Sequence, residues 1–193
     1  MDNIFSFYLG GQRKDTFNNH EAAMACAVIW SLKSKDPSTQ VGACIINNEG
    51  RHLSSGYNGT PIPWKDEVFP WGNDVKQIGE ENTKYPYVIH AEMNAITNYR
   101  GSNVDLRDST IYVTLFPCVN CAKLIVQSGI KKVVYLTDDR KATDDNKWAK
   151  RLFDNCGIEY IDFNTLINTE GLENVEEEKT GKVLVKKIMK KMN

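Results

Sequence analysis

His90-Ala91-Glu92 and Pro117-Cys118-Val119-Asn120-Cys121 are the residues of this chain whose types and spacing could do chemistry. One imidazole and two thiolates suit zinc, which takes such groups in tetrahedral sites; with three protein ligands, the fourth position is left to water. A metal so held can lower the pKa of bound water from its bulk value towards about 7, making hydroxide available at neutral pH. A Cys-x-x-Cys pair suits this task when the backbone runs from a turn into a helix start, where the first N–H groups steady the thiolate charge. His90 and Glu92 are too close in sequence to share a helix face at i, i+3 or i+4 spacing, so they are predicted on the opening turn of a helix, facing one cavity. The Glu92 carboxylate need not bind metal; it can accept the proton of a water and hand it to a substrate nitrogen.

Each signal alone has a plainer reading. A Cys-x-x-Cys pair also serves as a redox couple or as half of a structural zinc site, and a single histidine is usually a satisfied surface or core residue. The combination narrows the choice. A redox role leaves His-Ala-Glu unexplained, and a closed structural site needs a further ligand, whereas Cys26, Cys44, Cys156, His20 and His52 show no paired spacing.

The elements that must position these residues follow from patterning. Glu21 to Leu32, behind Asn18 or Asn19 as cap, is rich in helix formers and largely apolar, which predicts a helix packed into the core. Val41 to Ile46 and Arg51 to Tyr57 around Asn47-Asn48-Glu49-Gly50 predict a hairpin. Residues 58–86 hold most of the prolines and two tryptophans without a sustained period, and so long a connection is usually functional or mobile. Beyond it the pattern predicts a helix from Ile89 to Asn98, a strand from Thr110 to Leu115, a helix from Cys118 to Ser128 stopped by Gly129, and a strand from Lys132 to Leu136. A helix around Asn146 to Asn155 stopped by Gly157 and a strand from Ile158 to Phe163 complete the series. A hairpin followed by alternating helices and strands implies an α/β fold, a mixed sheet covered by helices.

The 193 residues suit one domain, which at this size buries roughly 70% of the surface of the unfolded chain without needing a metal as a staple. Hydrophobic residues at 41% and charged residues at 25% are ordinary globular usage. The net charge of −1, from 24 Lys plus Arg against 25 Asp plus Glu, advertises neither nucleic acid nor an acidic membrane as partner. No apolar stretch approaches the ~20 residues of a membrane helix, and the N-terminus lacks a basic lead into an apolar core. Five scattered cysteines fit a reducing compartment, so a cytoplasmic setting is expected. Residues 1–15 read as an N-terminal arm, 16–165 as the domain and 166–193 as a charged C-terminal tail. In the tail, acidic Glu176 to Glu178 precede basic Lys182 to Lys191, a pattern of a solvated face or a partner-binding segment.

His90-Ala-Glu92 with Pro117-Cys118-x-x-Cys121 resembles the zinc-dependent cytidine/deoxycytidylate deaminase family. Ser34-Lys-Asp-Pro-Ser-Thr-Gln-Val-Gly-Ala-Cys-Ile45, Gly56-Tyr-Asn-Gly-Thr-Pro61, Val68-Phe-Pro-Trp71, Thr83-Lys-Tyr-Pro-Tyr-Val-Ile-His-Ala-Glu-Met-Asn-Ala-Ile96 and Tyr112-Val-Thr-Leu-Phe-Pro-Cys118 are similar to the eukaryotic-type deoxycytidylate (dCMP) deaminases of that family. The resemblance implies a three-layer α/β/α fold on a mixed five-stranded sheet. It implies zinc on His90, Cys118 and Cys121, with Glu92 as proton shuttle. The implied reaction is hydrolytic deamination at C4 of dCMP to give dUMP, for thymidylate synthesis, and ammonia. Other deaminases, acting on cytidine, a tRNA adenosine or a pterin-like base, are the alternatives within the family; a zinc-stabilised binding module without turnover is the alternative outside it.

By the same resemblance Asn58 falls at a nucleotide-binding position, although Asn-Gly is also a common turn pair. Gly56 and Gly59 are expected to let backbone N–H groups approach a phosphate, with Lys35 or Arg100 adding charge. The resemblance further implies activation by dCTP and inhibition by dTTP, each with Mg²⁺, and a homo-oligomer, a hexamer. Relatives with a second, structural zinc draw its ligands from the region of 58–86; that stretch has neither Cys nor His here, so one catalytic zinc per chain is expected.

Overall fold

A computed structural model describes residues 16–102 and 106–169. The expected arm and all but the start of the tail lie outside the described residues. Helix α1 (Asn19–Ser31) opens with a capping box: the Glu21 amide donates to Asn18 Oδ1 at 2.8 Å, and the Asn18 amide donates to Glu21 Oε2 at 3.1 Å. Reciprocal bonding satisfies two amides that have no partner inside the helix.

Strands β1 (Gly42–Ile46) and β2 (His52–Tyr57) form the predicted hairpin. After a short helix α2 (Val75–Ile78) come α3 (Ala91–Asn98), β3 (Thr110–Leu115), α4 (Val119–Gln127), β4 (Lys132–Thr137), α5 (Asp144–Cys156), β5 (Glu159–Asp162) and α6 (Phe163–Thr169). Gly157 ends α5 in the left-handed conformation at φ 64°, where a side chain is disfavoured. The sheet order is β2-β1-β3-β4-β5, antiparallel through β3 and parallel beyond it, since β3, β4 and β5 are joined by helical crossovers.

Alternation along the strands divides the core. Ala43, Ile45, Ile111, Val113 and Val133 face α3, α4 and α5, while Cys44, Tyr112 and Val134 face α1 and α6. This is the expected three-layer α/β/α arrangement. The domain limit expected at 165 falls inside α6, because Phe163, Leu166 and Ile167 are buried at i, i+3 and i+4.

The connection 58–86 is packed rather than loose. Trp64, Phe69, Trp71 and Tyr87 make ring contacts at 4.6 to 5.2 Å. Its start is tied to the residue before His90: Gly59 and Ile89 exchange backbone hydrogen bonds of 3.0 and 2.9 Å.

Candidate metal centre

Two helix starts meet at the carboxyl end of β3. His90 is the N-cap of α3 and Cys118 the N-cap of α4, both with extended backbones, and Cys121 lies on the first turn of α4. The positive ends of both helices therefore point at the same spot. His90 Nδ1 lies 3.4 Å from Cys118 Sγ and 3.4 Å from Cys121 Sγ. Zinc bonds of about 2.3 Å to sulfur and 2.0–2.1 Å to nitrogen, at the tetrahedral angle, place a nitrogen and a sulfur roughly 3.5 Å apart, so both His90–Cys distances fit the ion. Among the described residues this set has three donors, and the Glu92 carboxylate is outside it.

Mutual contacts shift the acidities of all three donors. The Cys118 thiol is lowered to about 3, chiefly by the hydrogen bond from Cys121, whose own thiol is pushed up by the same bond. His90 is raised, chiefly through its contact with Cys118. Glu92, only 4% exposed, has its carboxyl held above the ordinary range by burial. Asp145 accepts from the Val119 amide at 3.3 Å and holds the start of α4.

His90, Glu92 and Cys118 open into a cavity of about 370 Å³, whose wall includes Asn58, Lys84 and Arg140. Asn58 is buried there, with its amide engaged by the fold. Its Oδ1 accepts from the Val41 amide at 2.8 Å, and its Nδ2 donates to Thr39 O at 3.0 Å and Asp36 Oδ2 at 3.2 Å. Both amide hydrogens are used; one Oδ1 lone pair remains. Gly56 does not line the cavity. A Cβ there would stand 2.4 Å from Ala91 O and 2.4 Å from Ala95 N, so its bare backbone sets how closely α3, with His90 and Glu92, rests on β2. The Gly59 amide is occupied by Ile89.

Sequence reasoning missed two features. Lys84 Nζ donates to both Asp36 oxygens, at 2.6 and 2.7 Å, as a buried pair that pins 58–86 to the α1–β1 connection. Lys-Asp-Pro and Thr-Lys-Tyr-Pro were the only signals, and neither names the other as partner. Arg140 is a second cation of the cavity wall, beside the Lys84 that Asp36 neutralises. Lys35 instead pairs with Asp66, and Arg100 is exposed with its guanidinium on Thr97 O.

Residues 17–137 match the family model described as the cytidine and deoxycytidylate deaminase zinc-binding region. The chain is 43% identical to a deoxycytidylate deaminase of Pongo abelii and 42% identical to that of Homo sapiens, each over 79% of this chain and 83% of the relative. Its fold resembles the dCMP deaminase of cyanophage S-TIM5 solved in complex with dCMP and dUMP, with TM-score 0.58 and 28% identity over 79% of this chain and 99% of that one.

Proposed function

The chain belongs to the cytidine and deoxycytidylate deaminase family, and on that premise we propose how its residues divide the work. It is an enzyme that converts dCMP and water to dUMP and ammonia. The observation behind the residue roles is that Cys118 Sγ and Cys121 Sγ each lie 3.4 Å from His90 Nδ1, with buried Glu92 in the cavity that His90 and Cys118 line. His90, Cys118 and Cys121 hold zinc, which supplies a Lewis acid that eases deprotonation of water. Glu92 takes a proton from the water that attacks C4, delivers it to N3, and passes the second proton to the exocyclic nitrogen. The C4–N bond breaks, ammonia leaves, and C4 keeps the water oxygen as a carbonyl. One carboxylate alternating as base and acid avoids a second negative charge beside the site.

Asn58 offers its remaining Oδ1 lone pair to the nucleotide while holding the wall formed by Thr39 and Val41. Arg140 receives the 5′-phosphate, and Gly56 positions α3 rather than touching ligand. Comparing ammonia release from dCMP, CMP, deoxycytidine and dCTP tests the substrate reading: dCMP is expected to be fastest. Equal rates for dCMP and deoxycytidine would defeat the monophosphate assignment.

Regulation by dCTP and dTTP with Mg²⁺ is part of the same reading. A second cavity of about 170 Å³ has Lys33, Lys35, Tyr57 and Gly59 in its wall; Asp66, also in the wall, pairs with Lys35, so Lys33 is the cation it offers a triphosphate. Asn94 of α3 also lines it and donates to Tyr57 O at 2.6 Å, which links it to the helix of His90 and Glu92. Saturating dCTP with Mg²⁺ should turn a sigmoidal dCMP curve hyperbolic; an unchanged curve removes the effector role. Exposed Ile29, Leu32 and Trp148 favour a homo-oligomer, taken as a hexamer and checked by light scattering. Unpaired Cys26, Cys44, Cys118, Cys121 and Cys156 accord with the cytoplasm. Among the described residues no helix is long and apolar enough to cross a membrane.

A further inference from the structure

On the face of the sheet opposite α3, three residues from three elements converge: Cys26 of α1, Cys44 of β1 and His52 of β2. Cys44 is fully buried, with Ser55 directly opposite it in the β1–β2 ladder, on the side covered by α1. Regular alternation would send His52 to the other face. A bulge prevents this: Ile45 pairs with Ser54 but Ile46 pairs with His52, so Leu53 is the extra residue and packs into the α3 side of the core. Skipping one position re-aims the next side chain. His52 thus joins Ser55, its Nε2 lying 2.6 Å from Ser55 Oγ, which is itself 3.4 Å from Cys26 Sγ.

The two sulfurs and a ring nitrogen of His52 all lie within 4.8 Å of one another. We propose that Cys26, Cys44 and His52 form a second zinc site, at the outer edge of the sheet, that ties α1 to the β1–β2 hairpin. Two thiols and an imidazole select a thiophilic cation over Mg²⁺ or Ca²⁺, which take oxygen ligands. The exposed ring of His52 can turn inward to close the spacing, and Ser55 Oγ or water completes the tetrahedron. The composition of 58–86, which argued for a single ion, has no bearing on this cluster, because none of its residues comes from there.

Metal analysis of the purified full-length chain tests the site. The wild type should hold about two zinc ions per chain, and Cys26→Ser and His52→Ala about one each, with dCMP turnover kept. Cys118→Ser should also hold about one ion but be inactive, which separates the two sites: if the first site were wrong and this one right, Cys118→Ser would keep the wild-type content. His52 is exposed, so His52→Ala does not depend on a repacked core. After cobalt substitution, Cys26→Ser should lose part of the thiolate-to-cobalt absorption that His90→Ala leaves in place. Zinc content unchanged from wild type in both Cys26→Ser and His52→Ala would overturn the proposal. So would a Cys26–Cys44 disulfide in freshly purified protein with no second ion.

Discussion

The cluster of His90, Cys118 and Cys121 and the cluster of Cys26, Cys44 and His52 contain the same donor types but are delivered differently. The first draws its donors from two helix starts, where backbone N–H groups converge and a cavity opens beside a buried carboxylate. The second draws them from one helix and two strands, against the α1 face of the sheet. Donor identity therefore decides which ion is held; the neighbouring groups decide whether the ion works on a substrate or braces the fold. As proposed, Glu92 and the cavity would make the first site chemical, and Ser55 and the hairpin would make the second mechanical.

This contrast can be broken or sharpened by experiment. The largest effect should come from stripping metal with a strong chelator: turnover should fall to background and return on adding zinc, whereas activity surviving in metal-free protein would erase the distinction. Glu92→Gln should lower turnover by about 10²–10⁴-fold while zinc content stays at the wild-type level, the range for removing a positioned acid–base group. If zinc leaves with the carboxylate, Glu92 belongs to the ligand set. Lys84→Met should destabilise the chain by about 3–5 kcal/mol in denaturant melts, because Asp36 is left buried and unpaired; Asp36→Asn together with Lys84→Met should recover part of that loss. A stability change below about 1 kcal/mol would mean that the cavity wall does not depend on the pair. The smallest change in rate belongs to His52→Ala: kcat for dCMP within about twofold of wild type, with a lowered thermal midpoint as the structural signature, since the ring sits outside the cavity. A loss of turnover as large as that of Glu92→Gln would make the second cluster part of the catalytic machinery.

Much of the first site is legible in the chain. His90-Ala-Glu92 and Cys118-x-x-Cys121 are local patterns, and each sits at a helix start whose position follows from the apolar run behind it. The hairpin, the α1 cap and the Gly157 stop are legible for the same reason. Helix α6 was missed because Phe-Asn-Thr-Leu-Ile-Asn-Thr is poor in helix formers, yet Phe163, Leu166 and Ile167 at helical spacing were an available signal. Arg140 lines the cavity without any local signal, because nothing in linear order says which cation will face it.

What the sequence by itself determined is local: ligand types, their placement on helix starts, and alternation that builds a two-faced sheet. These depend on residues a few positions apart, whose geometry the backbone dictates. Only the tertiary structure decided that Lys84 neutralises Asp36, that Asn58 is engaged by Val41 and Thr39, and that Cys26, Cys44 and His52 meet. The physical reason is register. A single extra residue at Leu53 turns His52 from one face of the sheet to the other, and such a shift is settled by packing across the whole sheet.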